Sequence, residues 1–193
     1  LTTIGSYQVK VLIQSASEET ALISPASADD MPTNWSCNWV NFWRNMDFEC
    51  QNIVKIVYDG QIWGLVHYSL YPYFYPVPAP PRFIEIAHIE AHPTSRGKET
   101  ERFIEPIGKW LIWYATKVAF EFCQTEADEP LVILEAFDTA VSYYRDKVQM
   151  EYLGFSLSTP GEDLYGFRFS RTAAAEFCQR HESQLGGAKL YEQ

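Results

Sequence analysis

At 193 residues, with 47% hydrophobic and 21% charged positions, the chain can bury a full core as one domain and has too much apolar character to stay disordered. A formal net charge of −10 and a pI near 4.8 argue against nucleic acid or an anionic membrane as the main partner and suit a cationic substrate, because the first two are gripped by concentrated Lys and Arg. No run approaches the ~20 apolar residues of a membrane span, no leader is visible, and Cys37, Cys50, Cys123 and Cys178 lack metal or disulfide spacing, which places free thiols in a reducing cytoplasm.

Residues 7–14 alternate well enough for a first strand. Ser15 to Asn34 is polar and reads as a loop with a weak helix, and the aromatic stretch Trp35 to Cys50 reads as helical. Two β-rich runs, 52–58 and 61–70, flank Asp59-Gly60. That dipeptide supplies the positive φ of a tight hairpin turn. Residues 71–81 carry five prolines and form a stiff aromatic connection between strands, suited to building a substrate site.

Phe83 to Ala91 is apolar on both faces, as a central strand is. From about Pro106 to Gln124 a helix shows a stripe of Ile107, Leu111, Tyr114, Ala115, Val118 and Phe122. Leu131 to Phe137 follows as a short buried strand, and Asp138 is placed to cap a helix running to Lys147. Strands near 154–158 and 164–170 and a helix near 172–183 complete a single α/β domain over residues 1–193. Its mixed central sheet has about six to seven strands flanked by helices.

The strand–loop–helix from Phe83 to Gln124 points unbonded amides and the positive end of a helix dipole at one spot, an arrangement that holds anions. Gly108 allows close backbone approach there. Lys98, Arg102 and Lys109 offset the like charge of Glu105. The same residues are compatible with an ordinary helix entered through proline. Tyr144, at the end of the next strand–helix unit, is a candidate proton donor, since a phenol stays protonated at neutral pH; core packing is its other reading.

Glu90 is a candidate base, sharing a strand face with His88 and His92 while Ile89 and Ala91 point the other way. Glu85, on the opposite face, competes for that role, as do the two histidines. A metal held by His88, Glu90 and His92 is opposed by geometry: alternate strand residues lie ~6.8 Å apart, so the outer pair spans ~13 Å. No G-x-S-x-G or reactive-cysteine context marks a nucleophile.

Taken together, HIEAHPTSRGK, PIGKWLIWYATKVA, LVILEAF, AVSYYRDK and LGF resemble the GNAT superfamily of N-acetyltransferases, over about residues 7 to 170. The resemblance implies a GNAT-like fold, acetyl-CoA as acetyl donor and a primary amine on a small molecule or peptide as acceptor. It further implies that the backbone near Ile89 and Ala91 aligns the pantetheine and that Ile107, Gly108, Lys109 and Arg102 hold the pyrophosphate. Direct transfer would then use Glu90 as base and Tyr144 as acid. Eight residues separate Arg96-Gly97-Lys98 from Ile107-Gly108, and Pro106 stands where the family's phosphate motif has its first glycine. That degenerate motif leaves two rivals, a binding module without the cofactor grip and a transferase for longer acyl thioesters.

Overall fold

The computed structural model describes residues 2–14, 16–72, 80–97, 101–159 and 161–192. Asp59 and Gly60 both sit at positive φ, 51° and 72°, the twist that lets two strands close on a two-residue turn. They join β3 (Gln51–Tyr58) to β4 (Gln61–Tyr71) at the middle of a ten-stranded sheet. The other strands are β1 (Ser6–Ile13), β2 (Ser17–Pro25), β5 (Phe83–Ala91), β6 (Ile104–Glu105), β7 (Pro130–Phe137), β8 (Glu151–Ser156), β9 (Leu164–Ser170) and β10 (Lys189–Tyr191). Their order is β10-β1-β2-β3-β4-β5-β7-β9-β8, with the short β6 paired to β1. Among the described residues, β5 and β7 pair in parallel and the other neighbours in the sheet pair antiparallel.

The sheet therefore has more strands than the six or seven expected, around the mixed core that was. β2 falls where a loop and weak helix were read. Its first four residues, Ser17 to Thr20, are exposed, so no alternation marks them, and the pairing with β1 holds them extended. The aromatic stretch yields only the short helix α1 (Trp39–Asn45), capped by the Asn38 side chain accepting from the Asn41 amide. Of the proline-rich connection, residues 73–79 lie outside the described residues.

Two helices cover one face of the sheet. α2 (Ile107–Phe122) is buried on nearly every side, because the sheet lies beneath it and α4 (Arg171–Leu185) above. Trp113 Nε1 donates to Glu182 of α4 at 2.7 Å, and Trp110 Nε1 to the Lys10 carbonyl of β1 at 2.7 Å, so the buried indoles find acceptors. α1 covers the opposite face through a smaller core of Trp39, Met31, Met46, Ile53 and Leu65. After β7, α3 (Asp138–Ser142) widens into a π-turn over Tyr143–Val148. Phe137 occupies the N-cap position and Asp138 is the first helical residue, without the capping bond expected of it.

Two irregularities shape the centre. β5 pairs with β7 only through Ile84–Ile86 and Val132–Leu134, so the two strands part beyond Ile86. On its other edge, His67 of β4 faces His88 while Tyr68 faces Ile86, which leaves Ala87 as a one-residue bulge. Directly paired residues share a face. Leu65, His67 and Ser69 pair with Glu90, His88 and Glu85, and Leu65 belongs to the α1 core. Glu85, His88 and Glu90 thus all face α1. The expectation that Glu85 and Glu90 lie on opposite faces fails, because the bulge adds one residue to the count between them.

Candidate active-site cleft

Where β5 and β7 part, a cleft of about 680 Å³ opens on the α2 side of the sheet. Ile89 and Ala91 at the end of β5 line it, with Thr139 and Ala140 of α3 across from them. Ile107 and Gly108 close one end with the first turn of α2, and Tyr143 and Tyr144 stand beside them. Arg96, Gly97 and Arg102 form the remaining wall.

Of the eight extra residues before α2, Glu99 and Thr100 lie outside the described residues. Phe103 to Glu105 are stitched to the sheet edge. Ser95 is buried and accepts the Ile104 amide on its hydroxyl at 3.0 Å, and the Gln14 amide donates to the Phe103 carbonyl at 2.7 Å. The Phe103 ring stacks on Trp63, 5.0 Å between centroids, and β6 pairs with β1. Pro106 then takes the N-cap position of α2 and, having no N–H, leaves the amides of Ile107, Gly108 and Lys109 as the helix's first donors. Among the expected anion-holding cations, Arg102 lines the cleft and Lys109 does not; burial, with Lys147 and Arg180 adding like charge, holds the Lys109 ammonium below its ordinary pKa. Lys98 lies outside the described residues. Arg96, unassigned in the sequence reading, is the second guanidinium in the wall.

Gly108 lies directly beneath Tyr143. A Cβ at position 108 would stand 2.6 Å from the Tyr143 hydroxyl oxygen, well inside contact distance. The phenol therefore hangs directly over the first turn of α2. On α-helical periodicity Tyr143 would turn away from Tyr144 and pack; instead both reach the cleft, since the wider coil of a π-turn narrows the angle between consecutive side chains. Tyr144 packs against Phe167 at 5.5 Å and Tyr143 at 5.2 Å and is 6% exposed. Burial pushes the Tyr143 phenol up to about 12, with Arg102 opposing, and the Tyr144 phenol higher still. Both remain protonated at neutral pH.

Glu90 points away from this cleft, into the base of α1. One carboxylate oxygen accepts the Ser36 amide at 2.8 Å; the other accepts the Cys37 amide at 3.1 Å and Trp39 Nε1 at 2.8 Å. Arg96 reaches round from the cleft wall to the first oxygen. Burial alone would raise its pKa, but the Trp39, Ser36 and Cys37 bonds outweigh it and hold the carboxyl below the ordinary value. A carboxylate so filled ties the Ser36–Trp39 segment to β5 and to Arg96. Further along, His92 bonds Gln61 at 3.0 Å and Thr94 at 2.8 Å. Among the described residues no three His, Cys, Asp or Glu side chains gather as a metal site. The four cysteines are free, Cys123 and Cys178 buried, and among the described residues no helix is long and apolar enough to cross a membrane.

No protein-family model matches this chain, and no curated protein matches its sequence. Solved structures do match. An uncharacterised protein of Bacillus halodurans superposes with a TM-score of 0.63 at 9% identity, covering 94% of this chain and 98% of that one. The GNAT domain of S. lividans PAT gives a TM-score of 0.52 at 14% identity, covering 84% of this chain and 97% of its own. The aminoglycoside acetyltransferase AAC(6')-Ib, solved with coenzyme A and kanamycin, gives 0.51 at 11% identity, covering 80% and 96%. The identities are low, so the likeness is one of architecture: the chain has the GNAT fold.

Proposed function

We propose that this chain is a single-domain N-acetyltransferase that moves an acetyl group from acetyl-CoA directly to a primary amine. The observation that supports it is the convergence, in one cleft, of an open helix N-terminus, two guanidinium groups, a strand end unpaired with its neighbour and a protonated phenol. The first-turn amides at Ile107 and Gly108, with Arg96 and Arg102, would take the diphosphate. Glycine at 108 fits that role, because a side chain there would fill the space above the amides. Ile89 and Ala91, past the last β5–β7 bond, have backbone groups with which a pantetheine arm could align. Acetyl-CoA supplies the activated thioester.

Holding amine and thioester in attack geometry is then the main source of rate. Tyr144 gives its proton to the departing thiolate, a role its high pKa permits at neutral pH. Glu90 is a positioning residue in this reading: it holds Arg96 in the cleft wall and anchors the N-terminal end of α1. The complex of AAC(6')-Ib with coenzyme A and kanamycin is consistent with a cleft of this kind serving an acyl-CoA and an amine. Four free cysteines suit a reducing compartment, and we place the protein in the cytoplasm.

Thermal denaturation with acetyl-CoA tests the binding half. At 100 times its Kd the ligand adds ~2.7 kcal/mol of stability. Tyr144→Phe should keep that gain and lose ~10²–10⁴-fold in turnover. Absence of any shift at millimolar acetyl-CoA would refute the proposal and leave a binding module with the same fold.

A further inference from the structure

Among the described residues of the cleft, none is placed to take the proton from an incoming amine. The phenols are protonated, and the Glu90 oxygens are occupied by four donors. Across the sheet, on the α1 face of the same stretch of β5, lies a pair of imidazoles that the transfer reading does not use. His67 of β4 is 7% exposed, and its Nε2 has no hydrogen-bond partner among the described residues. Its Nδ1 lies 3.4 Å from Nδ1 of His88.

The two ring planes differ by 3° and their centroids are 5.6 Å apart. That separation exceeds the N–N distance by about two ring radii, so both nitrogens lie on the line between the centroids. The rings are therefore coplanar and meet edge to edge, the geometry of an N–H···N bond rather than of stacking. Phe42 of α1 lies flat over His88, 3.9 Å between centroids and tilted 25°. With one edge on His67 and one face under Phe42, His88 is held in a fixed orientation. Its remaining nitrogen, Nε2, lies on the other side of the ring's Cε1 from that contact, and the residue is only half-buried.

The position on the strand gives this pair a purpose. His88 is the first residue after the Ala87 bulge, and the next residue, Ile89, lines the cleft on the other face. Both lie beyond Ile86, the last residue of β5 that pairs with β7 among the described residues. An amine arriving on the α1 face would meet a thioester laid along Ile89–Ala91 through the gap where the two strands part.

We infer that His88 is the proton acceptor for the attacking amine and that His67 is a positioning residue behind it. The inference rests on the transferase reading above. An alkyl ammonium gives one proton to His88 Nε2, and the freed amine attacks the thioester carbonyl carbon. The C–N bond forms, and the C–S bond breaks as the intermediate collapses. Sulfur takes the Tyr144 proton, and the second proton leaving nitrogen restores the phenol. One proton, held on His88, is released to water. In the imidazolium, His88 Nδ1–H donates to the Nδ1 lone pair of His67, a charge-assisted bond shorter than the neutral contact.

The surroundings favour the neutral starting form. Burial pushes His67 down to about 4, with His88 adding to it, and burial also lowers His88, with Glu162 of the β8–β9 loop opposing. The other charged groups on that face are Glu85 and Glu90 of its own strand, the latter paired with Arg96. α1 presents the uncharged Phe42.

The test compares the wild-type chain with His88→Gln, His67→Phe and His67→Asn, in pH profiles of kcat/KM over a panel of amines and in acetyl-CoA thermal shifts. His88→Gln should lose ~10²–10⁴-fold in kcat/KM and the acid limb, with the acetyl-CoA shift unchanged. His67→Phe should move that limb to lower pH by about one unit, and His67→Asn, whose Oδ1 can replace the lone pair, should return it. Side-chain ¹⁵N spectra at pH 7.5 should show His88 protonated at Nδ1 and bare at Nε2. A His88→Gln protein with the wild-type rate and profile, or a His88 protonated at Nε2, would overturn the role while leaving the transferase intact. A wild type with neither transfer nor an acetyl-CoA shift would remove the transferase reading, and this role with it.

Discussion

Gly108 is where two opposing effects can be weighed against each other. Replacing glycine by alanine within a helix ordinarily stabilises by up to about 1 kcal/mol. Here the new methyl would stand 2.6 Å from the Tyr143 hydroxyl oxygen and 3.4 Å from its Cζ. Overpacking of that kind costs ~1–3 kcal/mol, so Gly108→Ala alone should be destabilising by up to ~2 kcal/mol. Tyr143→Phe deletes the offending oxygen and leaves the 3.4 Å contact, which a small ring adjustment absorbs. In the double variant the helix preference should therefore surface. The prediction is a coupling of ~1–3 kcal/mol between the two sites, read from urea denaturation of the four proteins. Affinity should behave differently. The methyl covers the first-turn amides whatever Tyr143 does, and losing one charge-assisted bond, ~1.5–3 kcal/mol, should weaken acetyl-CoA on the order of 10- to 100-fold by calorimetry. Additive stabilities would show that Tyr143 does not hang over the helix. Wild-type affinity in Gly108→Ala would move the diphosphate elsewhere.

Two further outcomes follow from buried ionisable groups. Glu90→Gln exchanges an accepting oxygen for an NH₂ that faces the Ser36, Cys37, Trp39 and Arg96 donors. Stability should fall by ~2–4 kcal/mol, with the pH dependence of turnover unchanged; intact stability with turnover lost would make Glu90 the base after all. His181 is 2% exposed, with both nitrogens lacking partners among the described residues, against Trp110 and Phe177. Burial, aided by Lys109, pushes it down to about 4. The unfolded chain then binds a proton near pH 6.5 that the folded one refuses until about 4, so stability is full above 6.5 and falls as pH drops through that window. His181→Phe should remove roughly 1–2 kcal/mol of the loss between pH 6.5 and 5. Parallel stability curves for the two proteins would count against this account.

Much of the architecture was readable because its signals are local. The Asp59-Gly60 hairpin, the apolar runs of β5, β7 and β9 and the stripe of α2 each declare themselves within about a dozen residues. β10 is exposed throughout, β6 is two residues long and β2 begins with four exposed residues, so none shows a pattern that burial would impose. The site divides the same way. The helix N-terminus, Gly108 and Arg102 could be located from strand-to-helix order. The Glu90 environment could not, since its donors Ser36, Cys37 and Trp39 lie more than fifty residues earlier. α-Helical periodicity would turn Tyr143 outward, and the π-turn that brings it inward leaves no trace in composition.

The bulge at Ala87 did leave a trace, in the phase of the strand. Strict alternation from Ile84 would set Ile84, Ile86, His88 and Glu90 on the α2 face. Two ionisable groups would then enter the main core, while Ile89 and Ala91 would turn to the other side. The sequence instead puts its apolar residues at 84 and 86 and then at 89 and 91, a slip of one that a regular strand cannot satisfy on a single face. One unpaired residue resolves the conflict: Ala87 bulges out, exposed, and both apolar pairs face α2. The same slip puts Glu85, His88 and Glu90 together on the α1 side. A strand that is apolar toward one ligand and ionisable toward another needs such a break in phase. It occurs one residue past the last pair with β7, where the two strands part.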